Sequence, residues 1–285
     1  MRWLIVIALI IGLAACAQKE RPEEIVSKED KVVAEKEIPN KSGESMNEIE
    51  ENQEIDSSAF EHRKAMQWGE NVDGVNTRMV TDEKMIALTF DACGGPYGNG
   101  YDEKLIDFLR EEEVPATLFI NERWILEHEG LLLELASDPL FQIENHGTAH
   151  VPLSVSGQLA WGIEGTASPA DVKEEVMGNQ VTIKSLTGRA PMLFRSGTAF
   201  YDEVAVEMVN ELGLEVVNFD ILGDAGATYS ASQVHQALIE ATNGSIALLH
   251  MNQPSSGTAE GVRLAVRELR EKGYSFVTLE GKALE

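Results

Sequence analysis

Residues 85–93 read Met-Ile-Ala-Leu-Thr-Phe-Asp-Ala-Cys, an apolar run that ends in a carboxylate. Buried strands of parallel sheets have this nearly continuous apolar composition, so the segment predicts a strand that ends at Asp91. A second segment, residues 144–150, reads Glu-Asn-His-Gly-Thr-Ala-His and follows another apolar run. Its two histidines, His146 and His150, stand four residues apart, close enough on one helical turn to share a cation. Together the segments predict the working face of a metal hydrolase.

Similar apolar runs recur along the chain, at 85–90, 116–120, 141–145, 191–194, 214–219, 245–250 and 275–279. Amphipathic helical patterns lie between them, for example over 102–113 and over 257–273. Strand and helix alternate about seven times, which favours a parallel α/β barrel over a sandwich or a helix bundle. Active sites of such barrels lie at the carboxyl ends of the strands. The titratable residues expected at those ends are Asp91, His146, Arg195, Asp220 and His250.

Residues 153–170 fit neither a helical nor a strand period and contain Trp161 among several glycines. Such a segment predicts a long loop over the mouth of the barrel. Two interpretations of it stay open, a loop that covers a strand end and a lid that binds substrate. Trp161 is a candidate sugar platform together with Trp68 and Trp124, although the helical pattern around Trp124 favours packing for that residue.

These motifs, in this order over roughly residues 84–280, resemble the polysaccharide deacetylases of the NodB-homology type, carbohydrate esterase family 4. The resemblance implies a distorted (β/α)7 TIM-like barrel, a divalent metal that is usually zinc, and removal of acetyl groups from N-acetylated sugars. It also implies a role for each motif. Asp91 matches the general base, His146 and His150 the metal-binding histidines, Arg195 the arginine that orients the base, and His250 the general acid. Asp220, or Asp224 after a small shift, matches the acid that braces Arg195, and the backbone N–H of Thr198 matches the oxyanion donor.

The chain departs from the family pattern at three places. Ala92 stands where the family has a second aspartate, its third metal ligand, and Gly147 replaces the usual serine or threonine. Residues 196–199, Ser-Gly-Thr-Ala, replace a proline-rich stretch. For the third ligand two alternatives remain, Asp91 itself and Cys93, because residues two apart on a strand point to the same side. Cys93 also fits the role of a small buried hydrophobic residue.

The chemistry of amide hydrolysis asks for the same residue types. The reaction needs an activated water, a positive charge near the tetrahedral oxyanion, and a proton for the amine leaving group. A cation on His146 and His150 would supply the first two needs. Asp91 is then the acceptor for the proton of water, and His250, whose unperturbed pKa is near neutrality, is the proton donor.

Residues 1–16 have a basic start, an apolar run too short to span a bilayer, and small residues before a cysteine. They predict a lipoprotein signal peptide, with Cys16 as the lipidated first residue of the mature chain. Residues 17–60 hold thirteen acidic and six basic residues and predict a disordered tether ahead of a catalytic domain over 61–285. The expected location is extracytoplasmic, on a lipid anchor at the membrane.

The formal net charge of the chain is −25. Such a charge repels nucleic acid and polyanionic glycans, and it suits a neutral or amine-bearing sugar polymer. The leading hypothesis is therefore a metal-dependent deacetylase of an N-acetylated envelope or extracellular polysaccharide. Two alternatives are a metal-independent hydrolase of small amides or ureides on the same fold and a degenerate barrel that only binds glycan.

Overall fold

A computed structural model describes residues 55–285 of the chain. The predicted signal peptide, its lipidation site Cys16 and the predicted tether as far as residue 54 lie outside the described residues. Among residues 55–285, no helix combines the length and the apolar composition that crossing a bilayer requires.

The described chain alternates short strands with amphipathic helices. Its strands are β1 Met85–Ala92, β2 Ala116–Ile120, β3 Phe141–Asn145, β4 Leu159–Ala160, β5 Ile163–Glu164, β6 Leu193–Phe194, β7 Glu215–Val216, β8 Ile221–Leu222, β9 Ser245–His250 and β10 Ser275–Phe276. Its helices are α1 Glu103–Glu111, α2 Glu122–Ser137, α3 Pro169–Thr187, α4 Glu203–Glu211, α5 Ala231–Leu238 and α6 Thr258–Glu271. A strand forms at each of the seven predicted apolar runs, although the strands in 191–194, 214–219 and 275–279 are shorter than the runs.

The parallel strands form one curled sheet in the order β7-β6-β3-β2-β1-β9-β8, and β10 pairs with the start of β1. Because parallel neighbours need a crossover connection, helices fill most of the gaps between strands and cover the outside of the sheet. The result is a half-barrel with helices around it. This confirms the predicted fold, a distorted (β/α)7 barrel.

Side chains of β1 alternate between two apolar layers. Ile86, Leu88, Phe90 and Ala92 belong to the core between the sheet and the helices. Ala87 faces the other way and packs in a small inner cluster with Phe119 and Ile246. Thr89 and Asp91 continue that inner face towards the carboxyl end of the strand. The inside of the barrel is therefore apolar at its base and polar at its mouth.

Residues 55–84, which precede β1, are part of the folded domain. Ser57–Phe60 form a 3-10 helix, and Asp56 caps it by accepting a hydrogen bond from the N–H of Ser58. The Phe60 side chain is buried in a second core cluster around α3 and α4. The predicted boundary after residue 60 is therefore too late, because burial of Phe60 ties the last residues of the predicted tether to the domain.

The long segment predicted as a loop over 153–170 contains regular structure. β4 and β5 pair antiparallel as a small hairpin, with Leu159 opposite Glu164 and Ala160 opposite Ile163. Two-stranded hairpins this short show no clear alternation of apolar and polar residues, which is why the sequence pattern gave no strand here.

Candidate active site

Asp91 and His250 meet because they end neighbouring parallel strands. In the register of β1 with β9, Asp91 lies directly opposite His250, and in the register with β2 it lies opposite Phe119. Opposite residues of a pair point to the same side of a sheet. The structure thus brings both predicted catalytic residues to the mouth of the barrel.

Asp91 forms a buried ion pair with Arg195. The Asp91 Oδ1 atom accepts a hydrogen bond from Arg195 Nη1 at 2.8 Å, and its Oδ2 lies 3.4 Å from His146 Nε2. Burial by itself acts to raise the pKa of Asp91, but the positive charges at His146, Arg195 and His250 outweigh it and hold that pKa below its usual value. The carboxylate is therefore ionised and held in one orientation.

Arg195 is fully buried, and backbone carbonyls satisfy the rest of its guanidinium. Its Nε donates to Val217 O at 3.1 Å and its Nη2 to Asn218 O at 3.0 Å, while Nη1 also donates to Thr89 Oγ1 at 2.9 Å. The guanidinium lies 4.1 Å from the centre of the Phe119 ring. These contacts hold Arg195 against Asp91, and no second acid contacts Arg195 in the described part of the chain.

The prediction that Asp220 braces Arg195 is wrong. Asp220 pairs instead with Arg78, and it accepts hydrogen bonds from Ser245 Oγ at 2.9 Å and Ile246 N–H at 2.8 Å. In the predicted run at 214–219 the strand β7 ends at Val216, and Asp220 directly precedes β8 rather than ending a strand. This places Asp220 at the amino ends of β8 and β9, on the side of the sheet away from Asp91.

The alternative residue, Asp224, follows β8 and forms hydrogen bonds with His250 rather than with Arg195. Its Oδ1 accepts a hydrogen bond from His250 Nδ1 at 2.8 Å. Its Oδ2 accepts from the N–H of His250 at 2.8 Å and from Thr258 Oγ1 at 2.9 Å. Burial acts to lower the pKa of His250, but the Asp224 carboxylate prevails and that pKa lies well above its usual value. His250 is thus poised as a protonated imidazole.

The two predicted metal-binding histidines lie in an irregular loop after β3, not on a helical turn. His146 Nδ1 donates to the carbonyl of Arg195 at 2.9 Å, which leaves Nε2 facing the barrel mouth. His150 adopts a left-handed backbone conformation, with φ of 61°. The two rings meet edge to face with centroids 4.9 Å apart. The pair is close, as predicted, but loop geometry brings it together.

A buried glutamate on α3, which the sequence analysis missed, shapes this loop. Glu175 accepts hydrogen bonds from the N–H groups of Ala149, at 2.8 Å, and His150, at 3.1 Å. Burial raises the pKa of Glu175 to about 7. A Cβ at Gly147, where φ is +78°, would lie 2.3 Å from Glu175 Oε1. The Glu175 carboxylate therefore fits against the loop only because residue 147 is a glycine. The sequence signal that could have identified Glu175 is a single acid on the side of α3 that is otherwise apolar or uncharged.

Cys93 completes a candidate metal site with the two histidines. One ligand atom from each of Cys93, His146 and His150 lies within 4.8 Å of the others, and Cys93 Sγ is 3.9 Å from His146 Nε2. Burial acts to raise the pKa of the Cys93 thiol, yet the surrounding histidines hold it well below the usual value. Ala92 points the other way, into the core under the helices. Asp91, the other alternative, is engaged by Arg195.

The segment after Arg195 packs directly on the histidine loop. A Cβ on Gly197 would lie 2.3 Å from the carbonyl carbon of His150, so this position admits no larger residue. The next residue, Thr198, lines a cavity together with Asp91 and His250. Its N–H donates to no acceptor within residues 55–285. That group is free to donate to an oxygen bound in the cavity.

This geometry can be set against known proteins. A model of the polysaccharide deacetylase family matches residues 78–217, the part of the chain that holds Asp91, His146, His150 and Arg195. The chain belongs to this family. Polysaccharide deacetylases are hydrolases of carbon–nitrogen bonds outside peptides, and the family is metal-dependent. This deacetylase has a candidate metal site of its own.

Individual relatives are distant but cover most of the domain. The peptidoglycan-N-acetylmuramic acid deacetylase PdaA of Bacillus subtilis is 25% identical over 213 residues, covering 72% of this chain and 73% of PdaA. The peptidoglycan-N-acetylglucosamine deacetylase PgdA of Listeria monocytogenes is 25% identical over 198 residues, covering 69% of this chain and 38% of PgdA. A family 4 carbohydrate esterase of Bacillus anthracis superimposes with a TM-score of 0.57 at 28% identity, covering 73% of this chain and 86% of the esterase.

Proposed function

We propose that this deacetylase removes N-acetyl groups from a cell-envelope polysaccharide and that the reaction needs a divalent metal, zinc. The observation that carries the proposal is at the carboxyl end of the strands, where a three-residue candidate metal site adjoins a buried carboxylate, Asp91, and a largely buried imidazole, His250. The names of PdaA and PgdA support peptidoglycan as the polymer class.

The residues present fit zinc. A thiolate and two imidazoles are ligand types that zinc prefers, and three protein ligands leave a position open, as in catalytic zinc sites. The Nε2 atom of His150 is buried and has no hydrogen-bond partner in the described part of the chain. Buried nitrogens are normally satisfied, and a cation would satisfy this one. A metal held by Cys93, His146 and His150 would lower the pKa of the attacking water and polarise the acetyl carbonyl.

Asp91 acts as the general base in this proposal. Its carboxylate is ionised and held by Arg195, so its free oxygen can accept the proton of the attacking water. The N–H of Thr198 stabilises the negative charge that develops on the acetyl oxygen. Both groups line the same cavity, which also receives His250.

His250 acts as the general acid. Asp224 holds its Nδ1 proton and raises its pKa, which keeps the imidazole protonated at neutral pH. The proton on its other nitrogen, Nε2, passes to the amine leaving group as the carbon–nitrogen bond breaks. The Asp224 carboxylate then stabilises the correct tautomer of the neutral ring.

Metal content of purified variants tests the site. We expect that His146→Ala, His150→Ala and Cys93→Ser each lose most of the zinc that the wild-type protein binds, because each removes one of three ligands. His235→Ala is the matched control, since that histidine pairs with Glu268 on the helix layer. Cobalt-substituted protein should show a thiolate charge-transfer band that disappears in Cys93→Ser.

Three outcomes would contradict the proposal. Undiminished zinc in either histidine variant would move the metal site elsewhere. Full deacetylase activity in chelated, metal-free protein would favour a metal-independent hydrolase that uses Asp91 and His250 alone. Binding of peptidoglycan or chitooligosaccharide without release of acetate, across metals and pH, would favour a barrel that only binds glycan.

We also propose that the protein is held at the membrane through a lipid on Cys16. The apolar run before this cysteine and the small residues at positions 14 and 15 support the assignment. Cys16→Ser should abolish membrane association and leave deacetylase activity in the soluble fraction, because the lipid attaches only through that thiol. Membrane fractionation of this variant unchanged from wild type would contradict the anchor.

A further inference from the structure

The turn of the β4–β5 hairpin holds a tryptophan in an unusual backbone conformation. Ala160 and Ile163 pair across a two-residue turn formed by Trp161 and Gly162, with φ angles of 55° and 80°. Turns of this type favour asparagine or glycine, because bulky side chains rarely adopt positive φ. A strained non-glycine residue that persists is an indication of function.

The Trp161 ring is exposed but supported. The residue is 77% exposed, and its ring packs edge to face with Phe200, with ring centroids 5.8 Å apart and planes at 84°. Phe200 in turn packs against Trp68 at 5.8 Å. The indole is therefore supported by Phe200, which Trp68 supports in turn, and much of the indole surface is open to solvent.

Trp161 lines the cavity that contains the reacting groups. This cavity of about 390 Å³ also receives Asp91 and His250, and its remaining wall includes the apolar side chains Phe219 and Leu222. A second cavity of about 520 Å³ contains Cys93 and His150 and shares Ile163 and His250 with the first. The reacting groups thus lie where two open cavities meet, an arrangement suited to a chain molecule rather than a single small ligand.

We infer that Trp161 is a platform for a pyranose ring of the glycan next to the sugar that is deacetylated. The inference rests on the proposed function for the identity of the glycan. The C–H face of a neutral pyranose is apolar with a slight positive charge, which complements the face of an indole. The apolar walls around Trp161 and the strong negative charge of the protein favour a neutral sugar over an anionic one. Trp161 therefore selects oligomers over free monosaccharides.

The variant Trp161→Asn separates this role from a structural one. Asparagine suits a left-handed turn position, so the hairpin keeps or gains stability while the ring is lost. With a chitin tetramer as substrate, we expect kcat/KM to fall on the order of 10-fold, mainly through KM, which is the usual scale of one lost aromatic stacking contact. On 4-nitrophenyl acetate, which cannot reach the platform, activity should stay within about twofold, since no transition-state contact is removed.

Trp161→Phe and Leu159→Ala are the matched variants. Phenylalanine keeps an aromatic face and should restore part of the affinity for the tetramer. Leu159 is 59% exposed on the same hairpin but lies outside both cavities, so its removal should leave kcat/KM unchanged. Equal loss with tetramer and ester in Trp161→Asn, or a lowered melting temperature with unchanged KM, would overturn the platform.

Calorimetric titration with the same tetramer keeps this inference distinct from the proposed function. Wild-type protein that releases acetate while Trp161→Asn binds and reacts equally well would refute the platform alone. Wild-type protein that binds the tetramer through Trp161 but releases no acetate would refute the hydrolase and support the platform. Wild-type protein that neither binds nor reacts would refute both.

Discussion

The two ends of the parallel sheet each carry an aspartate–arginine pair, and the pairs differ in burial. At the carboxyl end the side chains of Arg195 and Asp91 are 0% and 6% exposed. At the amino end those of Arg78 and Asp220 are 30% and 20% exposed. A partly exposed pair contributes little to stability and joins neighbouring segments, whereas a buried pair fixes the charge state of its members. The Arg78–Asp220 pair is therefore structural, and the Arg195–Asp91 pair is suited to chemistry.

A third acid, Glu144, sharpens the contrast, because it is as buried as Asp91 but contacts no cation within residues 55–285. Within these residues Glu144 accepts hydrogen bonds only from neutral groups, Gln142 Nε2 and the N–H groups of Met192 and Leu193 at the start of β6. Burial raises the pKa of Glu144 to about 7, whereas the pKa of Asp91 is lowered. The neighbouring charge, not the burial, decides the sign of the shift.

The largest expected effect separates the two aspartates of the ion pairs. Asp91→Asn should lower deacetylase turnover by about 10³-fold, within the range for loss of a general base. Asp220→Asn should keep turnover near wild type and cost at most about 1 kcal/mol of unfolding free energy. Acetate release and urea unfolding measure the two effects. Comparable loss of turnover in both variants would remove the distinction between the two ends.

A smaller effect is expected for the proton donor at the carboxyl end. His250→Ala should lower turnover on an N-acetyl amide by about 10²-fold. The same variant should lose less on an activated acetate ester, because that leaving group needs no proton. Steady-state rates on both substrates check this. Equal impairment of amide and ester would assign His250 to binding or to support of the metal.

Glu144 tests how a buried acid without a neighbouring cation changes the pH dependence of stability. Its pKa is higher in the folded protein than in the unfolded chain, so its contribution to stability is present below pH 4.5 and is lost as pH rises towards 7. Over this interval the wild-type protein should lose about 2 to 3 kcal/mol of unfolding free energy through this residue. Glu144→Gln should lack that part of the decline in urea unfolding, whereas Glu127→Gln, on the exposed face of α2, should retain it. A parallel decline in both variants would contradict the assignment.

The smallest effect concerns Asp224. Asp224→Asn should lower turnover about 10-fold, and it should shift the basic limb of the pH–rate profile to lower pH. The sign follows because Asp224 raises the pKa of His250, and the acid must stay protonated to act. A pH–rate profile of the variant with an unmoved basic limb would show that Asp224 does not tune His250.

The sequence predicted the strands of the sheet well, but it did not predict which basic residues Asp220 and Asp224 contact. Buried parallel strands need continuous apolar runs, so β1, β2, β3 and β9 follow from composition alone. The strand β8 leaves no such trace, because it has only two residues and lies beyond the predicted run at 214–219. Its position places Asp220 at the amino end of the sheet and Asp224 beside His250. Glu175 was beyond reach for a different reason, since its contact with the histidine loop depends on how α3 packs.

The contact between Gly147 and Glu175 limits how this loop can be exchanged with the loops of relatives. A serine or threonine at position 147 needs the volume that the Glu175 carboxylate occupies and a backbone angle that only glycine adopts easily. Substitution of Gly147 by serine alone would displace the carboxylate that accepts from the N–H groups of Ala149 and His150. The two positions, 28 residues apart in the sequence, must therefore be exchanged together.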